Sequence, residues 1–192
     1  MERIPATSYQ RVAWKNGGGV TDVIAVAPGE RPEWRISVAR IELDGPFSDF
    51  TGYDRTIVAL SGDGVTLAFE SGEERALGSF QSYAFAGEDA VEARLSSGPV
   101  SDFNVMTLRE RCVHRATTIG FGANGVPIDA GDVAGFLYVV TGTVDVDDNL
   151  ANAGDTIRLD ADERTVARAI DGPAMTILVR ISAVRAPRSD DR

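Results

Sequence analysis

The sequence holds one cysteine and one histidine in 192 residues. One thiol cannot close an internal disulfide, so Cys112 reads as a small buried residue in a reducing compartment. One imidazole is equally restrictive, because transition-metal sites draw on several His or Cys ligands. His114 and Cys112 lie two apart, on one face if the segment is a strand, and supply only two ligands. His114 therefore reads as a surface or structural histidine. No apolar run approaches the roughly 20 residues that span a bilayer, and "MERIPATSYQ" has no apolar leader, so a cytoplasmic protein with no membrane partner is expected. Basic residues are also scarce: 19 Lys and Arg stand against 29 Asp and Glu, a net charge of -10. Such a chain repels phosphate backbones, which argues against nucleic acid as its partner. The acids show no EF-hand spacing and read as solvated surface.

What is present is β-structure. "TDVIAVAP", "WRISVARIEL", "RTIVALSG", "GVTLAFE", "FLYVVTG", "TVDVDD" and "MTILVRIS" are short and rich in Val, Ile, Thr and aromatics. Turn signals recur between them, among them Ala27-Pro28-Gly29, Ser61-Gly62-Asp63-Gly64 and Asp171-Gly172-Pro173. No long amphipathic helix interrupts them, so the pattern predicts an all-β sandwich or barrel. The pattern also repeats. "RTIVALSGDGVTLAF" followed by "SSGPVSDFNVMTL" matches "GFLYVVTGTVDVDD" followed by "IDGPAMTILVRI" in element order and turn placement. Two jelly-roll halves from an internal duplication are expected. Residues 1–110 form the first half and 111–185 the second, with the join between Arg109 and Ala134, and 186–192 are expected to be a disordered tail.

The glycine hairpin followed by "AGDTIRLDAD" resembles the second motif of the cupin superfamily, and the duplication resembles a bicupin. More specifically, "WKNGGGVT", "WRISVARIELDGPFSDFTGYDRTIVALSGDGVTL" and "GPVSDFNVMT" together resemble the HutD/Ves family of small bicupins across the first 110 residues. That resemblance implies a cytoplasmic bicupin associated with histidine utilisation or stress responses. It also implies a small-ligand binder or regulator rather than an enzyme, with a formylated or acidic intermediate of histidine breakdown as the ligand class. Many cupins hold a metal through a His-x-His pair, an acid and a further histidine. Counting from the hairpins places these near Asp49 and Thr51, near Arg55 or Thr56, near Asp89 to Val91, and near Thr165 in the second half. None is histidine, so no metal and no other cofactor is expected.

The candidate site residues cluster in the first half. In "VAWKNGGGVTDV", Lys15 precedes the glycines and no helix follows, so the segment is not a phosphate loop. Asn16-Gly17 suits a turn with φ > 0. A third glycine calls for close backbone approach to a ligand or to a strand, and both readings stay open. Trp14, Lys15, Asn16 and Gly17 are taken as candidates at the lip of a pocket. In "EWRISVARIE", Trp34, Ile36, Val38 and Arg40 share one side, and Arg35, Ser37, Ala39 and Ile41 the other. Either side brings an arginine inward that needs an acidic partner, so Arg35 with Ser37 and Arg40 are both carried, beside the alternative of a strand face in water. "GPFSDFTGYDRT" offers Phe47, Phe50, Tyr53, Asp54 and Arg55, with aromatic walls and a bidentate arginine clamp for a small organic acid, or else Asp54-Arg55 as a structural turn and the aromatics as a cap on the barrel. "SDFNVM" sets Asp102 and Asn104 on one side of a late strand, for a ligand or for a neighbouring loop.

The second half lacks such convergence. It reads as structural or dimer-forming, with Arg158, Arg164 and Arg168 on its surface. The function expected is binding of a small carboxylate by a regulator. The alternatives are a metal-independent isomerase or hydrolase using Asp54, Asp102 or Lys15 as base, and a purely structural interaction module with a homodimer contact.

Overall fold

The structure is a computed structural model and describes residues 1–185; the tail expected over 186–192 lies outside them. It is built from antiparallel strands, with one short 3-10 turn at Ala6–Ser8. No helix among the described residues is long and apolar enough to cross a membrane.

Four sheets form two sandwiches. In the first, a six-stranded sheet runs in the order Gln10–Ala13, Gly19–Val26, Trp34–Ile41, Val100–Leu108, Tyr53–Ser61, Ser82–Ala86. It packs on a small sheet ordered Gly45–Pro46, Val91–Leu95, Val65–Phe69, Glu74–Leu77. In the second, a five-stranded sheet runs Glu2–Ile4, Thr156–Leu159, Ala134–Thr141, Ala174–Ala183, Cys112–Phe121. It faces a small sheet ordered Val126–Asp129, Arg164–Ala169, Thr143–Val146, Asn149–Asn152. The duplication is visible in this order. Trp34–Ile41, Val100–Leu108, Tyr53–Ser61 and Ser82–Ala86 correspond in sequence to Cys112–Phe121, Ala174–Ala183, Ala134–Thr141 and Thr156–Leu159. The two small sheets follow one order as well.

The halves are not separate along the chain. Residues 2–4, expected within the first half, pair with Thr156–Leu159 of the second. Arg3 secures them by an ion pair to Asp155 at 2.8 Å, and the Tyr9 hydroxyl donates to the Gly154 carbonyl at 2.7 Å. The N-terminal segment thereby covers what would otherwise be an open sheet edge.

Three large apolar cores among the described residues follow from strand alternation, beside a small cluster of Tyr53, Met106 and Leu108. The two large sheets pack face to face through Trp34, Ile36, Val58, Phe103 and Val105 from the first half and Phe136, Tyr138, Ile177, Val179 and Ile181 from the second. Trp34 meets Phe136, and Phe103 meets Tyr138, at 5.2 Å between ring centroids in each case. The second sandwich is filled by Leu137, Val139, Val144, Ile157, Leu159 and their neighbours. The first is filled at one end only, by Ile41, Ile57, Val65, Leu67, Phe85 and Val100. Its other end is where the polar side chains collect.

His114 belongs to the contact between the large sheets. The Thr56 hydroxyl meets its Nε2 at 2.8 Å and the Thr107 hydroxyl its Nδ1 at 2.7 Å. Burial pushes its pKa down to about 4, which keeps the ring neutral. Both ring nitrogens are engaged, so its role is structural.

Candidate functional site

The inner face of the six-stranded sheet is a grid of cross-strand neighbours. One row runs Arg35, Met106, Arg55, Phe85. The next holds Ser37, Asn104, Ile57, and the one after it Ala39, Asp102, Ala59. Long side chains in the first row and small ones at Ser37 and Ala39 leave a hollow between them. It measures about 520 Å3, the size of a small-metabolite pocket. Trp14, Lys15 and Asn16 stand on one side of it and Phe47 and Phe50 on another. The loop carrying Phe47 and Phe50 is held down where their amides donate to the Val91 and Gly87 carbonyls, each at 2.9 Å.

Arg55 dominates the cavity. It is 5% exposed, and the Phe47, Phe50 and Phe85 rings surround its guanidinium with centroids 5.2, 5.2 and 4.9 Å away. Rings of this kind attract a cation through their negative faces, but they do not accept all of its hydrogen bonds. Its Nε has no hydrogen-bond partner among the described residues. Burial pulls its pKa down to about 10; Asp102 opposes that shift, and Arg35 adds to it. It stays charged at neutral pH, as arginine does throughout this range. Arg35 is half-buried and shifted down by burial too. Lys15, the one lysine in the sequence, stands exposed at the lip.

Asp102 supplies the single buried carboxylate of the lining. It is 1% exposed, and burial pushes its pKa up to about 7, with Arg55 and Asn104 restraining the rise. Asp102 Oδ1 and Asn104 Oδ1 are both buried without a hydrogen-bond partner among the described residues. Native interiors rarely leave such atoms unmatched, and unmatched groups gathered in a hollow point to a ligand.

The arrangement settles several sequence-level alternatives. Arg35 and Ser37 face the cavity, whereas Trp34 and Ile36 enter the contact between the halves. Arg40, expected as a candidate, lies exposed on the opposite face and pairs with Glu42 at 3.2 Å. Tyr53 shares the face of Arg55 but sits one pleat beyond the cavity. It packs with Met106 and Leu108, and its hydroxyl donates to the Pro32 carbonyl at 2.8 Å. Gly17 does not line the cavity either; its φ of +70° turns the hairpin, and its amide donates to the Trp14 carbonyl. Gly19 answers the question of close approach, since a Cβ there would collide with the Arg40 carbonyl. Gly19 thus brings the backbone against the strand Trp34–Ile41. Trp14 is fixed by its indole N–H donating to Thr21 Oγ1 at 2.8 Å, and Asn16 Oδ1 accepts from the Gly18 amide at 3.0 Å. Phe85 was not among the candidates, because "SYAFAG" reads as an ordinary strand; only its cross-strand pairing with Arg55 reveals it. Where cupin spacing calls for an acidic metal ligand, this chain directs the Arg55 guanidinium into the cavity, a group that repels a cation. Arg158, Arg164 and Arg168 are exposed, as expected.

A sequence model of the HutD family matches residues 6–184. The chain is 40% identical over 114 residues to the uncharacterized 21.2 kDa protein in the hutC 3′ region of Pseudomonas putida, which covers 58% of this chain and 60% of that protein. It is 35% identical to protein Ves of Citrobacter koseri over 148 residues, 73% of each. Among solved structures, HutD from Pseudomonas fluorescens SBW25 (formate condition) superposes with a TM-score of 0.85 at 28% identity, covering 96% of this chain and 99% of that one. A cupin 2 conserved barrel domain protein from Leptotrichia buccalis matches at a TM-score of 0.61 and 12% identity over 88% and 92% of the two chains, a likeness of fold alone. With its doubled cupin fold and a family match along nearly the whole chain, the protein belongs to the HutD family, which is linked to the histidine-utilisation region.

Proposed function

We propose that this protein binds a small carboxylate metabolite in the cavity of its first half and acts as a regulator in histidine utilisation. The observation that carries the reading is Arg55: a buried guanidinium in a metabolite-sized hollow, walled by aromatic rings, with its Nε unpartnered. A carboxylate supplies the missing acceptor in bidentate geometry. Arg35 and Lys15 extend the positive potential towards solvent, which concentrates anions at the mouth even though the chain as a whole is acidic. The family link to histidine utilisation supports formylglutamate-like or urocanate-like acids as the ligands to try first.

The test is thermal unfolding with N-formylglutamate, urocanate, glutarate and acetate at millimolar concentration. A ligand at a hundred times its Kd stabilises by about 2.7 kcal/mol, an upward shift of several degrees for a chain this size. Absence of a shift with every acid contradicts the reading.

Asp102 supports a second reading. A buried carboxyl titrating near pH 7 in a cavity is poised for proton transfer. An isomerase or hydrolase acting on a related acid would convert it, and Asp102→Asn would abolish the conversion while leaving binding in place. Binding without product over hours of incubation leaves the regulator.

A further inference from the structure

Thr56 and Thr107 lie behind the cavity, on the face of the six-stranded sheet that meets the second half. Arg55 and Met106 are direct cross-strand neighbours on the inner face, and each threonine follows one of them in sequence, so it points the other way. Thr56 pairs with Val105 and Thr107 with Asp54. The two hydroxyls therefore sit diagonally across the back of the Arg55–Met106 pair. One ring joins them: the Thr56 hydroxyl lies 2.8 Å from His114 Nε2 and the Thr107 hydroxyl 2.7 Å from Nδ1.

Burial keeps that ring neutral, so one nitrogen donates and the other accepts. One hydroxyl must then accept and the other donate, which fixes both threonines against a single side chain. His114 is carried by Cys112–Phe121, so the second half supplies this rung. It ties Tyr53–Ser61 to Val100–Leu108 at the level where Arg55 stands in front. Arg55 depends on such support. Its Nε has no hydrogen-bond partner among the described residues, and the rings around it attract a cation without fixing its direction as a hydrogen bond does. The strand beneath it sets where the guanidinium points.

We infer that His114 is a positioning residue for Arg55, through which the second half holds the acid site of the first in register. The ring does not line the cavity. It acts through Thr56 and Thr107 on the two strands that carry Arg55 and Met106. The effect on affinity rests on the acid-binding reading above; the effect on Arg55 itself does not.

The test joins a spectroscopic readout to a binding one, on the full chain at neutral pH. With isotope-labelled arginine, nuclear magnetic resonance follows the Nε–H of Arg55, which burial protects from exchange and which is assigned by its loss in Arg55→Met. In the free protein this signal moves or broadens in His114→Leu, which fills the volume and removes both hydrogen bonds. It keeps its wild-type position in His114→Gln, whose carboxamide restores one donor and one acceptor. It also keeps it in Ile177→Ala, which thins the same contact between the sheets and leaves the threonine hydrogen bonds in place. Calorimetry with N-formylglutamate and with urocanate follows the same order. An acid that binds the wild type binds His114→Leu about three- to thirtyfold more weakly, the range of coupling through packed neighbours. The other two variants differ from wild type by less than about twofold. If the leucine variant does not fold, Thr107→Val, which deletes one hydroxyl and keeps the shape, decides the matter by the same readouts. An unmoved Arg55 signal or an unchanged affinity in His114→Leu overturns the inference. An equal loss in Ile177→Ala also overturns it, because it reduces His114 to general packing. Failure of both acids to bind the wild type overturns the acid-binding reading alone, and the Arg55 signal still decides whether His114 places it.

Discussion

At the scale of single residues, the cavity is a place where stability has been given up. Arg55 is a buried cation with no carboxylate clamped to it, and its solvation is replaced by three rings. Exchanging a buried charge for an apolar side chain of similar volume is often neutral or stabilising. Arg55→Met should raise the melting temperature of the free protein by a few degrees, or leave it unchanged, while abolishing stabilisation by acids. Thermal unfolding with and without ligand checks both halves of that statement. Asp102 carries a pH signature. Its folded-state pKa of about 7 lies above the ordinary aspartate value, so the folded protein binds a proton that the unfolded chain has released. Its contribution is fully present below about pH 4, and it is lost as pH rises through 7. Asp102→Asn should therefore gain stability relative to wild type on going from pH 5 to pH 8, by on the order of a few kcal/mol. Denaturant unfolding at the two pH values measures it; a gain independent of pH contradicts the assignment.

Single residues also show what was legible in the sequence. Arg55, Asp102 and Asn104 stand out because polar groups at alternating positions of apolar strands have to face something. The choice between Arg35 and Arg40 stayed open because both faces of Trp34–Ile41 are covered, one by the cavity and one by the second half. Period-two alternation marks two faces without naming which is which. Tyr53, a candidate aromatic wall, shares the face of Arg55, but position along the strand decides whether a side chain reaches a hollow, and that depends on the loops closing it. Phe85 was illegible because its neighbour across the sheet is thirty residues away in the chain.

At the scale of elements, the hairpin around Gly17–Gly19 is a fixed wall. The Trp14 amide donates to the Gly19 carbonyl, and the Glu42 amide to the Gly18 carbonyl. Gly19→Ala forces a Cβ into the Arg40 carbonyl and should cost about 1–3 kcal/mol. It should also weaken acid binding, because Trp14 and Lys15 move with the hairpin. The strand Cys112–Phe121 presents a second testable device in His114, which spans the two large sheets. Its folded-state pKa of about 4 lies below the ordinary histidine value, so its contribution is present above about pH 6.5 and is lost as pH falls through 4. Wild type should lose about 3 kcal/mol relative to His114→Gln across that window. Chemical denaturation at pH 7 and pH 4.5 follows the difference; parallel pH profiles for the two proteins contradict it.

At the scale of the whole molecule, the all-β duplication was readable because turn spacing and hairpin order recur in both halves, and four strands of each large sheet and all four of each small one repeat that order. The crossing of residues 2–4 to the far sheet was not readable, since strand pairing at long separation leaves no local pattern. Despite the duplication, the two sandwiches are filled differently. The second sandwich is packed with aliphatic side chains to its centre, whereas the first stops short and leaves its polar row uncovered. The decisive measurement is calorimetric titration of N-formylglutamate and urocanate into wild type and Arg55→Met. The account predicts saturable one-to-one binding of at least one of these acids to the wild-type protein and a loss of more than about tenfold in the variant, the effect of removing a charged hydrogen-bond donor. Binding of equal strength to both proteins, or to neither, would contradict it.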